Sequence, residues 1–140
     1  AAAALCRRSN ERLLTGPADI NSFVKAEIGF GLGSDSLASN SDLNMLKEAA
    51  AWLPQITATQ ALNLLTIKAA EAVNIAEKTG SIAVGKAADL AAFPLDSVFW
   101  QGNRDQEAIA RRLLECAPKA SELMVDGKFI VRQGKLLADT

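Results

Sequence analysis

The stretch Ile28-Gly29-Phe30-Gly31-Leu32-Gly33-Ser34-Asp35-Ser36-Leu37-Ala38-Ser39-Asn40 decides how this chain is read. Its first half alternates apolar residues with glycine, and side chains on a strand alternate between faces. Ile28, Phe30 and Leu32 therefore share one face, while Gly29, Gly31 and Gly33 share the other with Asp35. A strand ending at Asp35, greasy on one side and bare on the other, predicts open space beside its terminal carboxylate. In parallel α/β folds chemistry gathers at the carboxyl ends of strands. Asp35 is thus the candidate for metal binding or proton transfer. Asp and Ser also cap turns and helix starts without chemistry, and a glycine-rich strand is also how a bent or closely packed one reads. These residues alone leave both readings open.

Working outward, Ala1 to Cys6 reads as a short buried strand, and Leu13 to Gly16-Pro17 as a loop punctuated by Gly and Pro. Ile20, Phe23 and Val24 keep helical spacing within 18–26, with Asp19 suited to the positive end of the helix dipole. Beyond Asp35, Ser39, Asn40 and Ser41 are cap candidates for a helix. Its apolar positions Leu43, Leu46, Ala50 and Leu53 run until Pro54. Thr57-Ala58-Thr59-Gln60 is a capping-box pattern opening the next helix. A further helical stretch covers about 69–76, with Ala72, Val73 and Ala76 as its apolar residues.

The character changes after Lys78. Gly85-Lys86 reads as a turn, 88–93 as a short strand, and 105–116 as a helix with Ile109, Ala110, Leu113 and Leu114 inward. Asp126-Gly127 between two apolar runs is a strong hairpin pattern, and Gln133-Gly134 offers another turn before a last strand. Strand, helix, strand, then helices followed by a β-rich tail is an α/β organisation.

Composition narrows the function. The chain has 140 residues, the size of one ordinary domain, and 49% of them are apolar, which argues against a disordered tail. A formal net charge of −1 gives no electrostatic case for a nucleic-acid partner. No apolar run approaches the roughly 20 residues of a membrane span, and no signal-peptide pattern opens the chain. Cys6 and Cys116 match no metal-ligand spacing and read as reduced thiols of a cytoplasmic protein. The chain contains 0 histidines, which excludes Ser-His-Asp and Cys-His catalysis and a histidine zinc site within it. Whatever partners Asp35 has in chemistry lie outside these residues.

The ordered set of pieces resembles the carboxyl-terminal part of the amidohydrolase superfamily. It comprises Cys6-Arg7-Arg8-Ser9-Asn10, Leu13, Gly16-Pro17, and Leu32-Gly33-Ser34-Asp35-Ser36-Leu37-Ala38-Ser39-Asn40. It continues through 66–75, Gly80-Ser81-Ile82, Gly85-Lys86, Ala88-Asp89-Leu90 and Val125-Asp126-Gly127-Lys128. The likeness is closest to the deaminase and chlorohydrolase branch. It implies the last strands and helices of a (β/α)8 barrel over 1–78, then helix and strands of a small composite β-sandwich over 79–140.

The resemblance further implies one divalent metal, zinc or iron, held by histidines from earlier strands and by Asp35 at the end of the eighth strand. Asp35 would ligate or approach the metal and shuttle a proton from its water. Ser36 and Asn40 would support the Asp35 loop, Ser9 and Asn10 the loop after strand seven, and Gly31 and Gly33 would keep the barrel mouth open. The substrate implied is a small molecule, a nucleoside of the adenine type, with s-triazines as near relatives.

One departure is Arg7, which stands where the family usually has proline. A complete barrel needs roughly 250 residues, so the histidines and half of the sandwich are expected upstream, and the isolated chain is expected to be inactive. A histidine-free binding or assembly module derived from such an enzyme is the other reading. Cut strand edges would drive such a module into an oligomer or onto a partner.

Overall fold

The computed structural model describes residues 1–94 and 105–137. Strand β1 (Ala2–Leu5) runs parallel to β2 (Gly29–Leu32), with Ala3 opposite Phe30 and Leu5 opposite Leu32. A parallel pair needs a crossover, and α1 (Arg7–Arg12) and α2 (Ile20–Lys25) provide it. Asp19 caps α2 by accepting the Asn21 N–H at 3.0 Å. After β2 come α3 (Met45–Ala50), α4 (Ala58–Leu65) and α5 (Ile67–Ala72). The remaining elements are β3 (Leu90–Ala92), α6 (Gln106–Cys116), β4 (Glu122–Val125), β5 (Lys128–Arg132) and β6 (Lys135–Leu136). The last four strands form an antiparallel sheet in the order β3-β4-β5-β6. The result is a mixed α/β segment with a two-stranded parallel sheet and a four-stranded antiparallel one.

Local sequence explains several of these boundaries. Thr57 Oγ1 accepts the Gln60 N–H at 3.2 Å while Gln60 Oε1 accepts the Thr57 N–H at 2.9 Å, the reciprocal capping box. Asp126 and Gly127 take φ values of 48° and 77° between β4 and β5, the left-handed pair that a two-residue hairpin requires. Gln133 and Gly134 repeat the device at 51° and 72° before β6.

One core unites the helices with the parallel sheet. Leu5 and Leu32 at the strand ends are buried with Leu46, Ala49 and Trp52, with Ala58, Ala61 and Leu64 of α4, and with Ala110 and Leu114 of α6. Although α6 follows β3 in sequence, it thus closes the core of the amino-terminal helices. It also reaches across to α4: Glu107 accepts the Ala58 N–H at 2.6 Å and the Thr59 N–H at 2.9 Å.

Three sequence expectations are corrected here. The strand ends at Leu32, so Asp35 stands in the loop beyond it. The glycine face is filled rather than open. A Cβ at Gly31 would lie 2.7 Å from Ala69 Cβ and 2.8 Å from Ala69 Cα, and one at Gly29 would lie 3.3 Å from Ala72 Cα. A Cβ at Gly33 would lie 3.0 Å from Ala4 Cβ. Gly29 and Gly31 let the α5 backbone press against the sheet, and Gly33 lets the end of β2 lie close to Ala4 of β1. Finally, α3 is capped by Asn44, whose Oδ1 accepts the Leu46 N–H at 2.9 Å, and not by Ser39, Asn40 or Ser41. Ser39 and Asn40 are committed to the Asp35 loop, and Leu43 is 54% exposed instead of turning inward. Among the described residues no helix is long and apolar enough to cross a membrane.

Candidate functional site

The ends of β1 and β2 set the site. The Gly33 N–H still donates to the Leu5 carbonyl at 3.1 Å, so the two chains stay side by side until both turn away. From β1 the chain passes through Cys6 into α1, and from β2 it passes into the Asp35 loop. That loop is a tight turn. The Ser39 and Asn40 N–H groups donate to the Ser36 carbonyl at 3.1 and 3.0 Å. Ser36 Oγ accepts the Ala38 N–H at 3.3 Å, and Asn40 Nδ2 donates to Ser34 Oγ at 3.3 Å.

Two hydroxyls converge on one carboxylate oxygen. Ser39 Oγ donates to Asp35 Oδ2 at 2.8 Å, and Ser9 Oγ, from the first turn of α1, donates to the same atom at 3.1 Å. Both serines are almost fully buried, at 4% and 2% exposed, while Asp35 itself is exposed. The Ser39 bond and then the Ser9 bond hold the Asp35 carboxyl below its ordinary value, against the opposing effect of desolvation. At neutral pH the group is a carboxylate with its charge pinned in place. Oδ1 receives neither hydroxyl.

A second carboxylate organises the site from behind. Glu48 of α3 is completely buried, and both of its oxygens accept the Arg8 N–H, at 3.3 and 3.4 Å. Burial raises the Glu48 carboxyl above its usual range, opposed by the Arg8 and Arg7 N–H groups and by the Arg8 charge. The Arg8 guanidinium reaches forward, Nη1 to Asp42 Oδ1 at 2.8 Å and Nη2 to Ser41 Oγ at 3.2 Å. Helix α1 is therefore held between α3 and the loop that follows Asp35. Cys6 lies at this junction as a free thiol. Its pKa is raised by burial and by the charges of Glu48 and Asp35.

Of the residues singled out in the sequence, Ser9 reaches Asp35 directly, and Ser36 and Asn40 take part in the turn. Asn10 makes no side-chain hydrogen bond to Asp35 among the described residues. Its backbone accepts the Thr15 N–H at 3.0 Å and donates to the Cys6 carbonyl at 3.0 Å, closing the turn around α1. Sequence reasoning missed Ser39 as an Asp35 partner, although a hydroxyl four residues after an aspartate is within reach in a turn. It also missed Glu48, which reads as one more polar position on a short helix. Among the described residues no three His, Cys, Asp or Glu side chains are grouped to hold a metal ion. Asp35 offers one anionic oxygen donor, suited to a divalent cation as a single ligand.

Comparison with known proteins places the chain in a family. The family model described as "Amidohydrolase family" matches residues 1–130. The chain belongs to the amidohydrolase family. This amidohydrolase chain is 36% identical over 138 residues to a 5-methylthioadenosine/S-adenosylhomocysteine deaminase of Thermoanaerobacter pseudethanolicus, covering 91% of the chain and 32% of the relative. It superposes on a zinc-bound adenosine deaminase from Xanthomonas campestris with a TM-score of 0.80 and 26% identity, covering 99% of the chain and 34% of that structure. A zinc complex of atrazine chlorohydrolase from Arthrobacter aurescens superposes with a TM-score of 0.78 and 26% identity, over 99% and 32%. The amidohydrolase chain thus spans about a third of the length of the relatives it matches.

Proposed function

We propose that this chain is the carboxyl-terminal part of a metal-dependent aminohydrolase that removes ammonia from an adenine-type nucleoside, with Asp35 as the carboxylate of its metal site. In this reading β1 and β2 are the last two strands of a (β/α)8 barrel, to which residues 1–78 contribute the carboxyl-terminal part, and 79–140 contributes helix and strands to a β-sandwich. The observation that carries it is the position of Asp35, just past the carboxyl end of a parallel strand, with two buried hydroxyls fixing Oδ2. The deaminase activities of the relatives supply the substrate class.

When bound, a divalent zinc or iron ion supplies Lewis acidity that brings a water's pKa to about 7. Asp35 Oδ1 would be this chain's ligand, with histidines outside these 140 residues completing the set. Ser9 and Ser39 orient the carboxylate, which would accept a proton from the attacking water, and by lowering its basicity they ease the return of that proton. The water oxygen replaces the exocyclic nitrogen on the ring carbon. The C–N bond breaks, and the proton taken by Asp35 leaves with the amine as ammonia. The likeness to the atrazine chlorohydrolase gives a second reading with chloride as leaving group. Deaminases of adenosine derivatives among its sequence relatives, at 30% and 36% identity, favour the first.

The test is ammonia release from adenosine-type nucleosides by the zinc-loaded protein that includes the remaining family length. Asp35→Asn abolishes turnover there while the fold persists, and a near-normal rate in that variant overturns the assignment. The isolated 140 residues with zinc and nucleoside release no ammonia.

A further inference from the structure

We propose that Glu48 is a positioning residue for Asp35: by capping α1 from a neighbouring helix, it holds Ser9 against the candidate metal carboxylate. The inference rests on the reading of Asp35 given above and extends it to a residue that touches neither metal nor substrate.

The reasoning starts from a missing cap. Cys6, at the N-cap of α1, makes no side-chain hydrogen bond to the first turn. A serine or aspartate there would satisfy the helix start locally and at little cost. Instead the cap comes from Glu48, forty positions along the chain and 0% exposed. Burying a carboxylate is costly unless hydrogen bonds compensate it. A cross-helix cap adds what a local one cannot: it fixes where α1 sits relative to α3. The residue that receives the cap is Arg8, and the next residue is Ser9, whose hydroxyl is 3.1 Å from Asp35 Oδ2. From the other side Arg8 is tied to Asp42 and Ser41, at 2.8 and 3.2 Å, in the segment following the Asp35 turn. The first turn of α1 is clamped from both sides, and Ser9 is the side chain that the clamp aims.

A cross-helix glutamate also meets α4, where Glu107 of α6 accepts the Ala58 and Thr59 N–H groups beside that helix's own capping box. That site lies away from Asp35, so Glu107→Gln controls for the loss of a cross-helix cap as such. The experiment uses the whole protein that contains this chain and compares Glu48→Gln, Ser9→Ala, their double variant and Glu107→Gln. Two quantities are read: the Asp35 carboxyl resonance by isotope-edited NMR in the metal-free protein at neutral pH, and zinc affinity by chelator competition. Glu48→Gln and Ser9→Ala move the resonance to a common new position and weaken zinc binding about 10- to 100-fold, the range for losing a supporting partner. The double variant goes no further than Ser9→Ala, and Glu107→Gln changes neither reading.

An Asp35 resonance unmoved in Glu48→Gln overturns the proposal, as does a double variant that adds to Ser9→Ala. If Glu48→Gln does not fold, Glu48→Asp withdraws the carboxylate by one methylene and serves as the second variant, with the same movement expected and its absence again decisive. A resonance that moves in a protein that binds no zinc upholds the positioning and removes the metal-site reading of Asp35.

Discussion

Gly80→Ala tests the close packing that seats the loop after α5. Gly80 has φ of +93°, and a Cβ built on it would lie 2.7 Å from Ala70 Cβ, 3.1 Å from Ile67 Cα and 3.2 Å from the Thr66 carbonyl oxygen. Two of those neighbours are backbone atoms at the start of α5 and do not swing aside. An L-residue in left-handed backbone costs about 1–2 kcal/mol. Overpacking costs about 1–3 kcal/mol, and the stiffer unfolded chain returns about 0.4–1 kcal/mol. The expected net loss is about 1–5 kcal/mol. Gly85 isolates the first contribution: its φ is +90°, and a Cβ there meets nothing within 4 Å. Gly85→Ala therefore carries the backbone strain without the clash, a net loss of about 0–1.6 kcal/mol. Strain and unfolded-state effects cancel in the comparison, so Gly80→Ala is less stable than Gly85→Ala by about 1–3 kcal/mol, the overpacking alone. The assay is urea denaturation followed by tryptophan fluorescence, with the fully buried Trp52 as reporter. Equal losses in the two variants refute the tight approach between Gly80 and α5.

Asn44→Ala removes the α3 cap, together with the Asn44 Nδ2 bond to the Ala117 carbonyl at 3.2 Å. The urea midpoint falls by the equivalent of about 1–2 kcal/mol, and an unchanged midpoint rejects Asn44 as the cap. The Asp42 carboxyl is held well below the usual range, first by Arg8 and then by Lys47. A depressed folded-state pKa stabilises above the unfolded value of about 3.9 and is lost as pH falls through the folded one. The stability advantage of the parent over Asp42→Asn is therefore full near neutrality and shrinks in acid. An advantage that grows on acidification contradicts the Arg8–Asp42 assignment.

What the sequence makes legible is what it encodes within a few residues. The capping box of Thr57 and Gln60 needs four positions, and the Asp126-Gly127 turn needs two, so both are readable without any tertiary knowledge. Asp35 stands out because a carboxylate after an alternating run is a local pattern. The glycine face is different: bareness alone does not say whether space stays open or a helix fills it, and Ala69 of α5 decides that from 38 positions away. Serines and asparagines in a row offer several equivalent caps, and the selection of Asn44 follows from Ser39 and Asn40 being used by Asp35 and its turn. Glu48 and Glu107 were illegible for the same reason. Their partners are set by how helices cross, and nothing in the flanking residues distinguishes them from solvent-facing glutamates.

The dependence of α1 on Glu48 also makes that helix conditional. A six-residue helix without its own cap has no standing as an isolated element, because nucleation outweighs so few propagation steps. It persists only once the intervening chain has closed and α3 has docked, through the contact between residues 8 and 48. Ser9 travels with α1. The serine that pins Asp35 therefore comes into place only with the α1–α3 contact, and without that contact Ser39 is the hydroxyl left on the carboxylate.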